Sequence, residues 1–228
     1  MKIGVWLPVA ALLLAGVAAR AGSDARVFIA TYLDEQPSHA PAAASMIAAY
    51  ARQLRGKQGS LEVRVLQEVG RPGRFVLLES WADAASRRNG AGLDEAAGLP
   101  ARLRTVQRSP QDQRIHHVFD AEASSSATLP DAIYVVTHLD VPAARRGEAE
   151  GLLQAFVAGT RAQRGCERFD IYQQDEPRQN HFTLLSVWTH RATFDAYGGS
   201  AVWQQFMGDI TPLLGAPLDE RIYHRVAG

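Results

Sequence analysis

Cysteine is almost absent from this 228-residue chain, with Cys166 standing alone. A single thiol closes no intrachain disulfide, so the fold must stand on packing even in an oxidising compartment. Cys166 follows Gly165 at the predicted start of a strand. No His or Lys beside it in sequence lowers its pKa, so it is read as a small buried residue and not as a nucleophile. An excess of charge is absent too: Lys and Arg total 24, as do Asp and Glu. Without a basic stripe the electrostatic footprint of nucleic-acid binding is missing, and that partner class is excluded.

Metal and phosphate motifs are also wanting. There is no CxxC and no HxxxH on a helix, and His116 and His117, adjacent on a strand, point to opposite faces. Gly90-Ala91-Gly92 and Gly198-Gly199 fall in helical or loop segments, not after a strand, so no phosphate loop is read. A GxSxG nucleophile elbow is missing. What remains is either an enzyme that needs no metal or other cofactor, or a binding protein.

Long apolar runs are limited to one. Met1-Lys2 gives a positive start, an uncharged stretch follows from Ile3 to Ala19, and Ala19-Arg20-Ala21 fits the small-x-small signal-peptidase pattern. The run falls short of the ~20 residues a spanning helix prefers, and Pro8 interrupts it. Residues 1–21 are therefore read as a signal peptide. The mature protein, from Gly22, is expected in the periplasm or secreted, with no stable membrane anchor.

What is present is an internal repeat. Val27-Phe-Ile-Ala-Thr-Tyr-Leu-Asp34 aligns with Ile133-Tyr-Val-Val-Thr-His-Leu-Asp140, and Thr31 and Thr137 stand 106 residues apart, as do Gly59 and Gly165. Phe75-Val-Leu-Leu-Glu-Ser-Trp81 then aligns with Phe182-Thr-Leu-Leu-Ser-Val-Trp188, and Arg114-Ile-His-His117 with Arg221-Ile-Tyr-His224, at an offset of 107. One register thus runs through both copies with a single insertion in the β-hairpin turn. The division is a first domain at 22–120, a polar linker at 121–131 and a second domain at 132–228.

Each copy reads as strand, helix, strand, strand, helix, strand. Ala149, Leu152, Leu153, Phe156, Val157 and Thr160 form one buried helical stripe, repeated at Ala43, Met46, Ile47, Tyr50, Ala51 and Leu54. Gly59 and Gly165 are placed at the ends of these helices, where left-handed torsions favour glycine. Along the third strand Phe182, Leu184 and Trp188 share one face, and Leu185 and Val187 share the other. Both faces are apolar, so both must be covered. Helices cover one; the sheet of the other copy covers the second. The expected fold class is α+β: two ferredoxin-like βαββαβ units packed sheet to sheet within one chain.

Ile133–Asp140, Gly165-Cys-Glu-Arg-Phe-Asp-Ile-Tyr-Gln173, His181–Trp188 and a helix from Ala192 to Met207 together resemble the antibiotic biosynthesis monooxygenase (ABM) family of the dimeric α+β-barrel superfamily. Copy 2 matches throughout, and copy 1 is a degenerate version. The resemblance implies an internal version of the dimer that members usually form. It also implies oxygenase chemistry on quinols, anthrones or related phenolics without metal or flavin. Relatives of that kind carry His where this chain has Tyr197 and Val202. The haem-degrading branch has Asn, Trp and His where this chain has His138, Tyr197 and Met207. Gly90 is the copy 1 counterpart of Tyr197.

Candidate catalytic residues are therefore His138, able as a neutral imidazole to accept a phenolic proton, and Tyr197, able to hydrogen-bond the substrate oxygen. Trp188, Tyr134, Phe194, Trp203 and Phe206 are the candidate substrate-binding residues. The competing reading of these aromatics is core packing, and that of Tyr197 is a seam residue with its polar tip in water. Arg161, Arg164 and Arg168 are read as a solvated charged surface. The partner expected is a small aromatic or quinol-like molecule, turned over or merely bound, and further pairing into a homo-oligomer is left open.

Overall fold

The computed structural model describes residues 24–91, 99–122 and 131–226, so residues 1–21, read as a signal peptide, and most of the expected linker lie outside the described residues. Copy 1 consists of β1 (Val27–Asp34), α1 (Ala40–Arg55), β2 (Ser60–Glu68), β3 (Arg74–Trp81), α2 (Ala84–Ala91), α3 (Leu99–Leu103) and β4 (Asp112–Asp120). Copy 2 repeats the order with β5 (Ile133–Asp140), α4 (Arg146–Arg161), β6 (Cys166–Gln174), β7 (His181–Trp188), α5 (Arg191–Gly198), α6 (Ala201–Ile210) and β8 (Asp219–Arg225).

The eight strands close into one antiparallel barrel in the order β1-β3-β2-β8-β5-β7-β6-β4. The two sheets face each other as the apolar strand faces require. They also join edge to edge, with β2 paired to β8 through Leu66–Arg225 and β4 to β6 through His116–Gln174. Closure leaves no sheet edge exposed. Strand alternation then divides the side chains. Phe28, Ala30, Leu66, Val76, Leu78, Tyr134, Val136, Tyr172, Leu185, Val187 and Tyr223 fill the lumen. Ile133, Val135, Leu139, Phe182, Leu184 and Trp188 meet the copy 2 helices outside it, and their counterparts meet α1 in copy 1.

The α4 stripe is buried at Ala149, Leu153, Phe156, Val157 and Thr160, and the α1 stripe at Ala43, Ile47, Ala51 and Leu54. Gly59 and Gly165 do take positive φ, 79° and 81°. They sit in the turn entering β2 and β6, three or more residues past the helix ends, so the helix C-terminal placement is corrected. A Cβ at Gly59 would lie 2.4 Å from Ser86 Cβ, and one at Gly165 2.7 Å from Thr193 Cβ, so the close approach of the second helix requires glycine as well. The expected single helix from Ala192 to Met207 is two helices. Gly198-Gly199 ends α5, and the Ser200 side chain caps α6 by accepting from Trp203 N at 3.2 Å.

Candidate functional site

Strand parity separates the candidate residues into two places. His138 and Tyr134 share the lumen face of β5, whereas Trp188, Phe194, Tyr197, Trp203 and Phe206 lie on the helix side of copy 2. The β5–β7 sheet stands between them, so His138 and Tyr197 cannot act on one small substrate together. That shared pocket is corrected to two separate environments.

On the helix side, Phe156 from α4 stacks on Phe206 from α6 at 3.8 Å, and Trp203 packs against both. Tyr197 covers the Trp188 ring at 4.7 Å, and Phe194 lies beside it at 5.9 Å. Trp188 is fully buried and donates from Nε1 to Ser186 Oγ at 2.9 Å. The Tyr197 hydroxyl, which the seam reading put in water, is buried and lies 3.1 Å from Thr160 Oγ1. Burial holds its phenol well above the usual range, so it remains protonated as a hydrogen-bonding group and is not a base. Above the Phe156–Phe206 stack, α4 and α6 leave a groove of about 440 Å³, lined by Leu152, Ala155, Gly159, Ala201, Val202, Gln205 and Asp209 as well as the two rings. Its walls are mostly apolar, as a site for a small organic molecule requires.

In the lumen, Thr183 Oγ1 lies 2.9 Å from His116 Nε2 and 3.2 Å from His138 Nδ1. One hydroxyl proton can donate to only one imidazole, so the other ring must donate to Thr183. Burial lowers His138 to a pKa of about 4 with help from Arg114, and lowers His116 to about 3 with help from His138. Both rings are neutral at pH 7. Tyr32, the counterpart of His138, meets it across the lumen at 5.2 Å, edge to face.

The opposite end of the lumen is charged. Arg168 donates to Glu62 Oε2 at 2.7 Å, to Asp170, and to the Tyr172 hydroxyl at 3.1 Å, while Arg64 pairs with Glu62 and donates to the Tyr134 hydroxyl at 2.6 Å. Arg168 is only 5% exposed and Asp170 is fully buried. The reading of Arg168 as solvated surface is thus overturned: its strand parity turns it inward, where two carboxylates neutralise it. Tyr134, offered as a substrate contact, is occupied by Arg64, which also lies over its ring at 5.3 Å.

Residues 26–89 and 132–209, well over half of the chain, match the family described as antibiotic biosynthesis monooxygenase. The chain belongs to that family. A curated relative, an uncharacterized protein of Synechocystis sp., is 29% identical over 93 residues, which are 41% of this chain and 63% of the relative. The chain thus spans less than two thirds of the curated relative it matches. A candidate monooxygenase of Fusobacterium nucleatum superposes with a TM-score of 0.78 at 11% identity, over 89% of this chain and 93% of that one. An anthrone oxidase-like protein gives 0.67 at 13% identity, over 90% and 92%. At such identities the likeness is one of fold. It extends to the whole two-copy barrel, beyond a single ABM unit.

Within this family member, the residues that sequence reasoning passed over are His116, Thr183, Glu62 and Asp170. The parity of the Arg114–His117 segment against Arg221–His224 held a signal for His116, because it puts His116 in register with the buried Tyr223. Cys166 begins β6, and burial pushes its thiol up to about 11, which makes it a poor nucleophile. Among the described residues no group of three or more His, Cys, Asp or Glu is placed to hold a metal ion, and no helix is long and apolar enough to cross a membrane.

Proposed function

We propose that the protein is an exported monooxygenase that oxidises a small phenolic, quinol or anthrone with O2 and no added cofactor. The substrate enters by the α4–α6 groove and lies against the aromatic layer of copy 2. The observation that carries this reading is the 440 Å³ apolar groove set on the Phe156–Phe206 stack, with the Tyr197–Thr160 hydroxyl pair in the layer beneath it. For an anthrone-type substrate the balance is simple: the activated methylene becomes a carbonyl, one oxygen atom enters it, and the other leaves as water. All four electrons come from the substrate. The role of this chain is to hold the ring flat, exclude water and offer the Tyr197 hydroxyl as a donor to the oxygen that gains electron density.

A second reading, non-catalytic binding of the same class of molecule, is favoured by one observation. His138, the base first considered, lies across the sheet from the groove, and Tyr197 is held protonated, so neither supplies a base to the copy 2 layer. Oxygen uptake by the mature protein with a panel of quinols and anthrones separates the two. Uptake above autoxidation that falls at least tenfold in Tyr197→Phe supports the oxygenase. Saturable quenching of Trp fluorescence without uptake makes it a binding protein.

A further inference from the structure

The barrel has a second cavity, remote from the α4–α6 groove and on the other side of the sheet. It holds about 200 Å³ at the end of the lumen where β1 finishes and β8 begins. Three buried oxygens of its lining residues have no hydrogen-bond partner among the described residues: the Tyr32 hydroxyl, Asp34 Oδ1 and Glu68 Oε2. The Glu68 side chain is only 10% exposed; its Oε1 pairs with Arg71 Nε at 3.2 Å, which leaves Oε2 as the oxygen facing the cavity. Arg74 stands 3.8 Å from its Oε2, and Arg108 stands 3.7 Å from Asp34 Oδ1, both beyond hydrogen-bond reach. Arg221, also in the wall, is committed to Asp219 through two bonds of 2.8 and 2.6 Å. Buried polar atoms in a folded protein normally find partners, and leaving one unpaired forfeits its hydration without return. Three of them around one cavity make a consistent demand on whatever fills it.

Two of the three are carboxylate oxygens, which only accept, and the third can accept as well. A molecule satisfying all of them must bring several donors on a compact head. The walls add the rings of Tyr32, Tyr223 and Phe75, which favour a cation or a flat apolar group. The lumen already uses such a contact, since the Arg114 guanidinium sits over the Tyr32 ring at 5.0 Å.

We propose that this barrel mouth is a binding site for a small organic ammonium, its three N–H donors directed to Tyr32, Asp34 and Glu68 and its carbon body against the tyrosines. The three polar anchors all come from copy 1, while copy 2 lends Arg221 and Tyr223 to the wall. At the matching places of copy 2, Tyr32 is replaced by His138, which is tied to Thr183, and Asp140 is bonded to His181 at 2.7 Å. The reading is independent of the oxygenase proposal, because no residue is shared between the two sites.

The test is a titration of the full mature chain with benzylammonium at constant ionic strength, followed by calorimetry or NMR, against the isosteric benzyl alcohol and benzoate. Saturable one-to-one binding of benzylammonium is expected, with both analogues at least about tenfold weaker. Glu68→Gln and Tyr32→Phe, which keep the shape of the wall, should each weaken it about tenfold, and Asp209→Asn in the distant groove should leave it unchanged. Equal binding of benzyl alcohol would overturn the proposal. So would affinity that moves with Asp209→Asn and not with the other two variants, or the absence of a saturable response up to about 10 mM.

Discussion

The two copies protect the same tryptophan by opposite means. In copy 2 the Trp188 ring is covered by Tyr197, whose hydroxyl reaches Thr160. In copy 1 the counterpart of Tyr197 is Gly90, and a Cβ built there would lie 2.3 Å from Trp81 Cη2. Leu54, fully buried, stands where Thr160 stands in copy 2. The indole nitrogens differ too: Trp188 donates to Ser186, and Trp81 donates to the buried carboxylate of Glu79 at 2.9 Å. Copy 1 thus lacks both polar groups of the Tyr197–Thr160 pair, and its helix lies down on the ring instead. The two halves of the repeat therefore differ in kind: the α4–α6 groove lies wholly in copy 2, and the three unpaired oxygens of the barrel mouth lie in copy 1.

The largest effect should appear where the copies depend on each other. Arg168→Met leaves Glu62 without its Arg168 bond and Asp170 without the guanidinium beside it, with Arg161 3.9 Å away. Breaking a buried pair in this way costs about 3–5 kcal/mol, measured by urea unfolding.

A second contrast lies just past the first strand of each copy. Glu35 is fully buried with both carboxyl oxygens unpartnered among the described residues, whereas copy 2 has Val141 there. Burial, with Asp34 nearby, raises Glu35 to about 7. Its unfolded value is about 4.5, so stability is greatest below that value, falls as pH rises toward 7, and stays low above. Glu35→Val should therefore gain on the order of 2 kcal/mol at pH 8, and the gain should vanish near pH 4.5. A gain independent of pH would mean that the charge is not its source.

Glycine substitutions sharpen the comparison of the second helices. Gly90→Ala forces Trp81 to move and should cost about 2 kcal/mol in thermal melts. Gly198→Ala in α5 meets nothing within 4 Å and should be neutral or stabilising by up to about 1 kcal/mol. Tyr197→Phe is expected to cost about 1 kcal/mol by leaving the Thr160 hydroxyl unpaired while the ring still covers Trp188. A cost several times larger would mean that the hydroxyl pair organises the whole layer.

The fold was legible because the repeat supplies each strand twice in one phase. Thr31 and Thr137 even keep equivalent neighbours, with Gln113 donating to the first at 3.2 Å and the second donating to Glu220 at 3.5 Å. The apolar character of both faces of β7 foretold a covering sheet. The site was less legible. His138 and Tyr197 resemble parts of one pocket in a linear reading, yet His138 has the parity of Val136 and so faces the lumen. Arg168 sits among other arginines near a turn, which is how a solvated surface looks. Its partner Glu62 lies 106 residues earlier, and no local pattern connects them.

That last pair also records a history. Glu62 and Arg168 are the same position of the repeat, and they meet each other across the barrel. In an assembly of identical chains, a residue on the two-fold axis can only meet its own kind, and a glutamate would face a glutamate. Opposite charges at that place became available only to a chain already carrying both copies. The divergence of these charges therefore followed the duplication, and each half has since become a fit for the other and a misfit for itself.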